Sequence, residues 1–115
     1  MSPNRGKKSL TLDLKSEEGK KIYIELVKKS DIVVENYITG VMDRLGLGYS
    51  VLSKENPRLI YATVAGFSKD GKDATRPAFD TLLQAAGGLI SVTGNPGKGN
   101  QVRVGVSIVD ICSGI

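Results

Sequence analysis

A chain of 115 residues with 40% apolar and 24% charged side chains has the makeup of one globular domain and not of a disordered segment. Its formal charge of +4, from 16 Lys+Arg against 12 Asp+Glu, suits an anionic small molecule and is too scattered to mark a nucleic-acid surface. The absence of histidine and the single cysteine, Cys112, exclude within this chain a Ser-His-Asp triad, a Cys-His pair, a structural zinc site and an internal disulfide. A lone cysteine makes a reducing, cytoplasmic setting the default expectation, with a mitochondrial or peroxisomal one open for a eukaryotic source. No apolar run approaches the roughly 20 residues that cross a bilayer, and the basic start lacks the apolar stretch of a signal peptide.

In chain order, Ser9 to Leu14 alternates apolar Leu10, Leu12 and Leu14 with polar residues, which predicts a short strand. Ser16 is a helix N-cap followed by Glu17 and Glu18, where the helix dipole favours acids. Ile22, Tyr23, Leu26 and Val27 recur at helical spacing, so residues 16–29 predict an amphipathic helix. Asp31 to Glu35 carries Ile32, Val33 and Val34 in a row, the pattern of a strand buried on both faces and therefore parallel. Short helices are predicted from Thr39 or Gly40 to Gly46 and from Tyr49 to Glu55, the second stopped by Asn56-Pro57. Leu59 to Val64 predicts a third strand. The alternation of strands and helices predicts an α/β fold with a Rossmann-like parallel sheet, flanking helices and right-handed crossovers.

Beyond it, residues 66–76 read as a loop and Phe79 to Ile90 as one apolar helix, with Gly87-Gly88 as a close-packing point inside it. Residues 94–99 form a Gly-rich loop, Val102 to Val106 an extended segment, and Ile108 to Ile115 a small, apolar, core-like segment. That segment stops without a cap or polar tail, which predicts that the natural protein continues.

No Gly-x-Gly-x-x-Gly or Walker loop occurs. Gly46-Leu47-Gly48 has the wrong glycine spacing and follows a helix, so a dinucleotide fingerprint is unsupported. The carboxylates in apolar surroundings are Asp31, Asp80 and Asp110. Asp110 is flanked by Ile108, Val109 and Ile111. A carboxylate lodged there is either a bonded structural acid or a desolvated, reactive one, and spacing alone leaves both open.

Several segments, in order and across almost the whole chain, carry a resemblance. They are residues 4–10 (Asn-Arg-Gly-Lys-Lys-Ser-Leu), 12–15 (Leu-Asp-Leu-Lys), 33–37 (Val-Val-Glu-Asn-Tyr), 43–49 (Asp-Arg-Leu-Gly-Leu-Gly-Tyr), 56–60 (Asn-Pro-Arg-Leu-Ile), Gly66-Phe67, 76–80 (Arg-Pro-Ala-Phe-Asp), Gly88-Leu89, Thr93-Gly94 and 105–110. Each is weak by itself. Together they resemble the class III CoA-transferase family, which includes formyl-CoA transferase-like and carnitine CoA-transferase-like members.

The resemblance implies transfer of coenzyme A between an acyl-CoA and a free carboxylic acid, with no permanently bound cofactor and no metal. Asp110 matches the family's catalytic aspartate. It would attack the thioester carbonyl, give a mixed anhydride and CoA thiolate, and then become an aspartyl-CoA thioester that hands CoA to the acceptor. This is covalent catalysis by a carboxylate, and a thiolate leaving group requires no general base.

The residues implied to meet CoA are Leu12, Asp13, Leu14, Lys15, Asn36, Tyr37, Ile38, Arg44, Phe79 and Asp80. Arg44 and Lys15 suit phosphates, and ligand sites at the carboxyl ends of strands are what open α/β sheets provide. For each a plainer reading exists: Arg44 and Lys15 as solvated cations, Asn36 as a turn residue. Gln84 could line the same pocket or lie on a helix surface, and Cys112 reads as packing. Phe79 replaces the usual tyrosine of the family's aromatic-acid pair.

The family's α-methylacyl-CoA racemase relatives use a His-Asp pair for proton transfer. Phe79 stands where their histidine would be, which argues against that chemistry. The resemblance further implies that residues 1–115 are part of the large, CoA-binding domain, incomplete and without the small domain, in a parent that forms an interlocked homodimer. Such a piece is expected to be inactive alone. The competing class is a noncatalytic α/β binding or interaction module, which has no need of Asp110 in its matched setting.

Overall fold

The structure is a computed structural model that describes residues 4–95, 97 and 99–113. The chain divides into two units, Met1–Val64 and Ala65–Ile115.

The first unit is mixed α/β. The Ser16 hydroxyl accepts the Gly19 N–H (3.0 Å) and opens α1 (Glu17–Val27), with both acids in its first turn as expected. The turn carrying the Asp13 carbonyl buries Gly19 so closely that a Cβ there would collide with it, so only glycine lets that turn lie on the helix. Strand β1 (Ile32–Glu35), helices α2 (Val41–Arg44) and α3 (Tyr49–Glu55), and strand β2 (Ile60–Thr63) follow. The strands pair in parallel, Ile32 opposite Ile60 through to Glu35 opposite Thr63. Val27, Val33, Met42, Leu47, Leu52 and Leu59 form the core, with Leu14, Tyr23, Ile24, Leu45 and Tyr61 packed on it. Asn56 ends α3 and fastens it: its Nδ2 donates to the Val27 carbonyl (3.0 Å) and the Ser30 carbonyl (2.8 Å), and its Oδ1 accepts the Arg58 N–H (3.1 Å).

Three expectations change here. Residues 9–14 are not a strand; Leu10 is exposed, and the period-two pattern lacks a neighbouring strand to pair with among the described residues. Strand β1 is buried on one face only: Val33 is covered, whereas Ile32 and Val34 are exposed. On α1 the inward residues are Val27, Tyr23 and Ile24, while Ile22 and Leu26 are exposed, so the helix is rotated toward Ile24 relative to the expected face.

The second unit starts with a loop and continues with α4 (Asp80–Ala86) and a 3-10 turn, Leu89–Val92. The expected single helix from Phe79 to Ile90 is broken at the glycine pair. Gly88 has φ +80°, the left-handed conformation that ends helices, and the Gly87 and Gly88 N–H groups donate back to the Leu83 (2.8 Å) and Ala85 (3.1 Å) carbonyls. The pair is a stop signal and not a packing notch. Val102 to Val106 forms no strand; the Val102 N–H on the Thr93 carbonyl (3.1 Å) and an antiparallel bridge, Gly94 with Gln101, lead into it. Helix α5 (Ile108–Ser113) contains Asp110; the last two residues of the predicted segment, Gly114 and Ile115, lie outside the described ones. No helix among the described residues is long and apolar enough to cross a membrane.

Candidate functional site

The sequence-predicted residues of the first unit sit on two turns. At the head of α1, Asp13 is a turn builder: its Oδ1 accepts the Lys15 N–H (2.9 Å), and its carbonyl accepts the Ser16 N–H (3.2 Å) and hydroxyl (2.8 Å). Asp13 and Lys15 are exposed, Leu12 is half-buried, and Leu14 packs on the core and anchors the turn.

The second turn follows β1 at its carboxyl end. Asn36, Tyr37 and Ile38 are all exposed, and the Tyr37 N–H donates to the Glu35 carboxylate (2.7 Å). Gly40, at φ +84°, starts α2. The Arg44 guanidinium folds back over this start, so that a Cβ on Gly40 would meet Nη1 at 3.1 Å. The loop 36–40 and Arg44 thus lie at one corner of the first unit. Behind it stands a tyrosine group near Glu35. Burial, reinforced by Glu35, pushes the Tyr61 phenol up to about 12, and burial followed by the Tyr37 and Glu35 charges raises Tyr23.

Of the three carboxylates whose neighbours suggest apolar surroundings, only Asp80 is buried; Asp31 and Asp110 are exposed. Asp110 is exposed, which corrects the expectation of a carboxylate desolvated among Ile and Val. Helical geometry gives the reason. Successive residues turn by about 100°, so Ile108 and Val109 are half-buried while Asp110 and Ile111 face outward. The buried carboxylate is Asp80, at 7% exposure, and its companion Gln84, at 1%, is buried as well and not on a helix surface.

Asp80 and Gln84 lie one turn apart on α4. Asp80 Oδ1 accepts the backbone N–H groups of Val109 (2.8 Å) and Asp110 (3.3 Å), the first turn of α5. Asp80 Oδ2 accepts Gln84 Nε2 (2.6 Å). Gln84 Oε1 accepts the Val104 N–H (2.9 Å), and its Nε2 also reaches the Val106 carbonyl (3.3 Å). Asp80 is therefore the N-cap of α5 supplied from another helix. Sequence reasoning missed this role. The available signal was an acid and an amide at i and i+4 between leucines, a polar stripe on a helix otherwise read as core. Phe79, just before α4, is 75% exposed, and Cys112 is exposed, not packed.

The structure thus brings Asn36, Tyr37, Ile38 and Arg44 together in one unit and Asp80 and Asp110 together in the other. Among the described residues no group of three or more His, Cys, Asp or Glu could hold a metal ion. One unit is thus a mixed α/β arrangement whose parallel strand β1 runs into a turn with a folded-back arginine, and the other carries an exposed carboxylate on a helix capped from α4. Residues 1–115 match the family described as CoA-transferase family III, and the chain belongs to that family.

Its relatives include the acetyl-CoA:oxalate CoA-transferase of Acetobacter aceti, 49% identical over 97% of this chain and 29% of that protein. The human succinyl-CoA:glutarate CoA-transferase is 36% identical over 100% of this chain and 26% of that protein. Among solved structures, a CAIB/BAIF family protein from Brucella suis superposes with a TM-score of 0.85 at 38% identity, over 91% of this chain and 28% of the other. A Mycobacterium tuberculosis protein gives a TM-score of 0.87 at 35% identity, over 96% of this chain and 31% of the other. The chain thus spans less than a third of the length of these relatives.

Proposed function

We propose that the protein carrying this chain transfers CoA from an acyl-CoA to a free carboxylic acid, with Asp110 as the nucleophile. What supports the reading is membership of the family whose catalytic aspartate Asp110 resembles, together with an Asp110 carboxylate that is accessible on the first turn of α5. Family membership and the names of the relatives support CoA transfer as the reaction.

An Asp110 oxygen attacks the thioester carbonyl carbon, the C–S bond breaks, and a mixed anhydride and CoA thiolate result. The thiolate attacks the aspartyl carbonyl, expels the donor acid as carboxylate and leaves an aspartyl-CoA thioester. The acceptor carboxylate attacks that thioester and releases the thiolate again. The thiolate then takes the acceptor's acyl group from the second anhydride and frees Asp110. Every step exchanges one acyl bond for another without a net proton, so a chain without histidine is chemically competent.

In this reading the turn Leu12 to Lys15, the corner of Asn36, Tyr37, Ile38 and Arg44, and the exposed ring of Phe79 contact CoA. Arg44 and Lys15 serve its phosphates. Residues 1–115 are then part of a larger CoA-binding domain, and the parent acts as a cytoplasmic homodimer.

The test is intact-mass and peptide mass spectrometry of the full-length protein after incubation with an acyl-CoA. A CoA thioester on Asp110 is expected, and Asp110→Ala should lower turnover by roughly 10³-fold or more. No adduct together with full turnover in Asp110→Ala would sink the transferase reading in favour of a noncatalytic binding module.

A further inference from the structure

We infer that Asp80 and Gln84 are positioning residues that aim Asp110, and that Asp80 does so as a helix cap and not as a contact to CoA. The inference rests on the nucleophile reading above for its catalytic consequence, although the clamp itself is a matter of geometry. Neither oxygen of the Asp80 carboxylate is left over: one holds the Val109 and Asp110 N–H groups, the other holds Gln84 Nε2. At 7% exposure the side chain has almost no surface to offer a cofactor.

The order of donors and acceptors explains why one carboxylate and one amide, and not two amides of the same shape, can do it. The network begins at backbone donors on α5 and ends at another backbone donor, the Val104 N–H. Two side chains lie between. Donors at both ends require an acceptor facing each end. An amide presents one acceptor and one donor, so two amides in series leave a donor facing a donor, either between them or at one end. One member must present acceptors on both sides, which means a carboxylate, and the other must be an amide. Asp80 with Gln84 satisfies this, and no buried side-chain nitrogen or oxygen among the described residues lacks a partner. Asp80 Oδ1 also touches the N–H of Asp110 itself, so the cap fixes the backbone from which the reacting carboxylate projects. Among the described residues α5 runs over Ile108–Ser113, and the cap fastens its opening N–H groups, where a helix has no bonds of its own to make.

The polarity argument makes a reciprocal prediction. Asp80→Asn keeps size and shape but puts two amides in series, so α5 loses its fixed start. Asp80→Asn combined with Gln84→Glu restores an acceptor to each backbone donor with the carboxylate moved one place along. It sacrifices the 3.3 Å bond to the Val106 carbonyl, so the rescue is partial.

The experiment uses the full-length protein. Asp80→Asn is expected to lower kcat by about 10²-fold, the cost of a misaimed reacting group. KM for the acyl-CoA should stay within about twofold, because no contact to the cofactor is removed. The yield of CoA adduct on Asp110 should fall in parallel. The doubly substituted protein should recover about tenfold in kcat, the equivalent of one restored buried partner. A raised KM with kcat retained would make Asp80 a cofactor contact and overturn the inference. So would an unchanged kcat, or a double variant no better than Asp80→Asn. If Asp80→Asn does not fold, the double variant takes its place: a folded protein that forms the adduct supports the clamp, and an unfolded or adduct-free one overturns it.

Hydrogen exchange separates this inference from the reading it rests on. Faster exchange of the Val109 and Asp110 amides in Asp80→Asn is expected whether or not Asp110 is the nucleophile. If Asp110→Ala keeps full turnover while those amides still respond, the nucleophile reading falls and the clamp stands. If the amides do not respond, the clamp falls.

Discussion

The residues up to Val64 bury six apolar side chains, from Val27 to Leu59, whereas the described residues after it bury an aspartate and a glutamine. The two centres obey different rules. An apolar core is held by volume and by water excluded from its surface, and it tolerates any side chain of similar size without polar atoms. A polar centre is held by the direction of each hydrogen bond, and a change of one atom at constant volume breaks it. Leu12 to Lys15, Asn36 and Arg44 ride on the first kind of support; Asp110 rides on the second. The proposed chemistry thus rests on the more fragile of the two, where a side chain of unchanged shape can disarm the site.

The contrast is sharpest in paired substitutions. Leu52 is fully buried, so Leu52→Ala should cost about 2–5 kcal/mol of stability, read from the denaturant midpoint of the full protein, while Leu52→Met should cost less than about 1.5 kcal/mol. In the second unit the same shape-conserving logic fails, since Asp80→Asn is expected to abolish most turnover. If Leu52→Met were as damaging as Leu52→Ala, or Asp80→Asn as mild as Leu52→Met, the division into two kinds of support would collapse.

The next effect is smaller and tests whether the first unit also leans on a polar link. Asn56 ties the end of α3 to the end of α1 through two carbonyls and closes its own turn on Arg58. Asn56→Ala leaves those carbonyls without the amide, and the expected loss is about 1–3 kcal/mol in chemical unfolding. Asn56→Asp keeps the acceptor for Arg58 but sets a carboxylate against two carbonyl oxygens, so it should be no better than alanine. Asn56→Asp retaining wild-type stability would mean that the amide donors hold nothing, and that the apolar core alone sets the first unit.

The uneven visibility of these features in the sequence follows from the same physics. Helices α1 and α3 were legible because their signals are local: Ser16 followed by two acids, and Asn56-Pro57 as a stop. The parallel pairing of β1 and β2 was legible from the alternation of strands and helices, although the burial on both faces from which it was also inferred did not hold. The strand expected at residues 9–14 failed because alternation specifies a face and not a partner. Gly88 was misread because a glycine inside an apolar run looks alike whether it allows close packing or a left-handed stop; only φ decides. The exposure of Asp110 was not legible, since a linear list of Ile and Val does not say on which side of a helix each lands. The Asp80–Gln84 clamp bridges residues up to 30 apart in sequence, and no local rule reaches that far.

The smallest expected effect concerns pH and bears on the polar edge of the first core. Tyr61 packs on that core, edge-on to Tyr49 with ring centroids 6.0 Å apart. Burial first, and the Glu35 charge second, hold its phenol protonated up to about 12, against an ordinary value of 10.0. Between those values the unfolded chain has released a proton that the folded one keeps. The native state then binds more protons, and stability falls as pH rises. The contribution is complete below pH 10 and is lost progressively toward pH 12. Tyr61→Phe removes this titration while keeping the ring, so its unfolding free energy should decline less steeply than the parent's from pH 10 to 12. Lys28, raised by Glu25 and Glu55, continues to titrate in both proteins and cancels in the difference, while Tyr23, whose charge also raises Tyr61, adds to the same downward slope. Parallel curves for parent and Tyr61→Phe across that window would show that the phenol is already solvated in the folded state. The boundary of the apolar core would then lie inside Tyr61, at Val33 and Leu59.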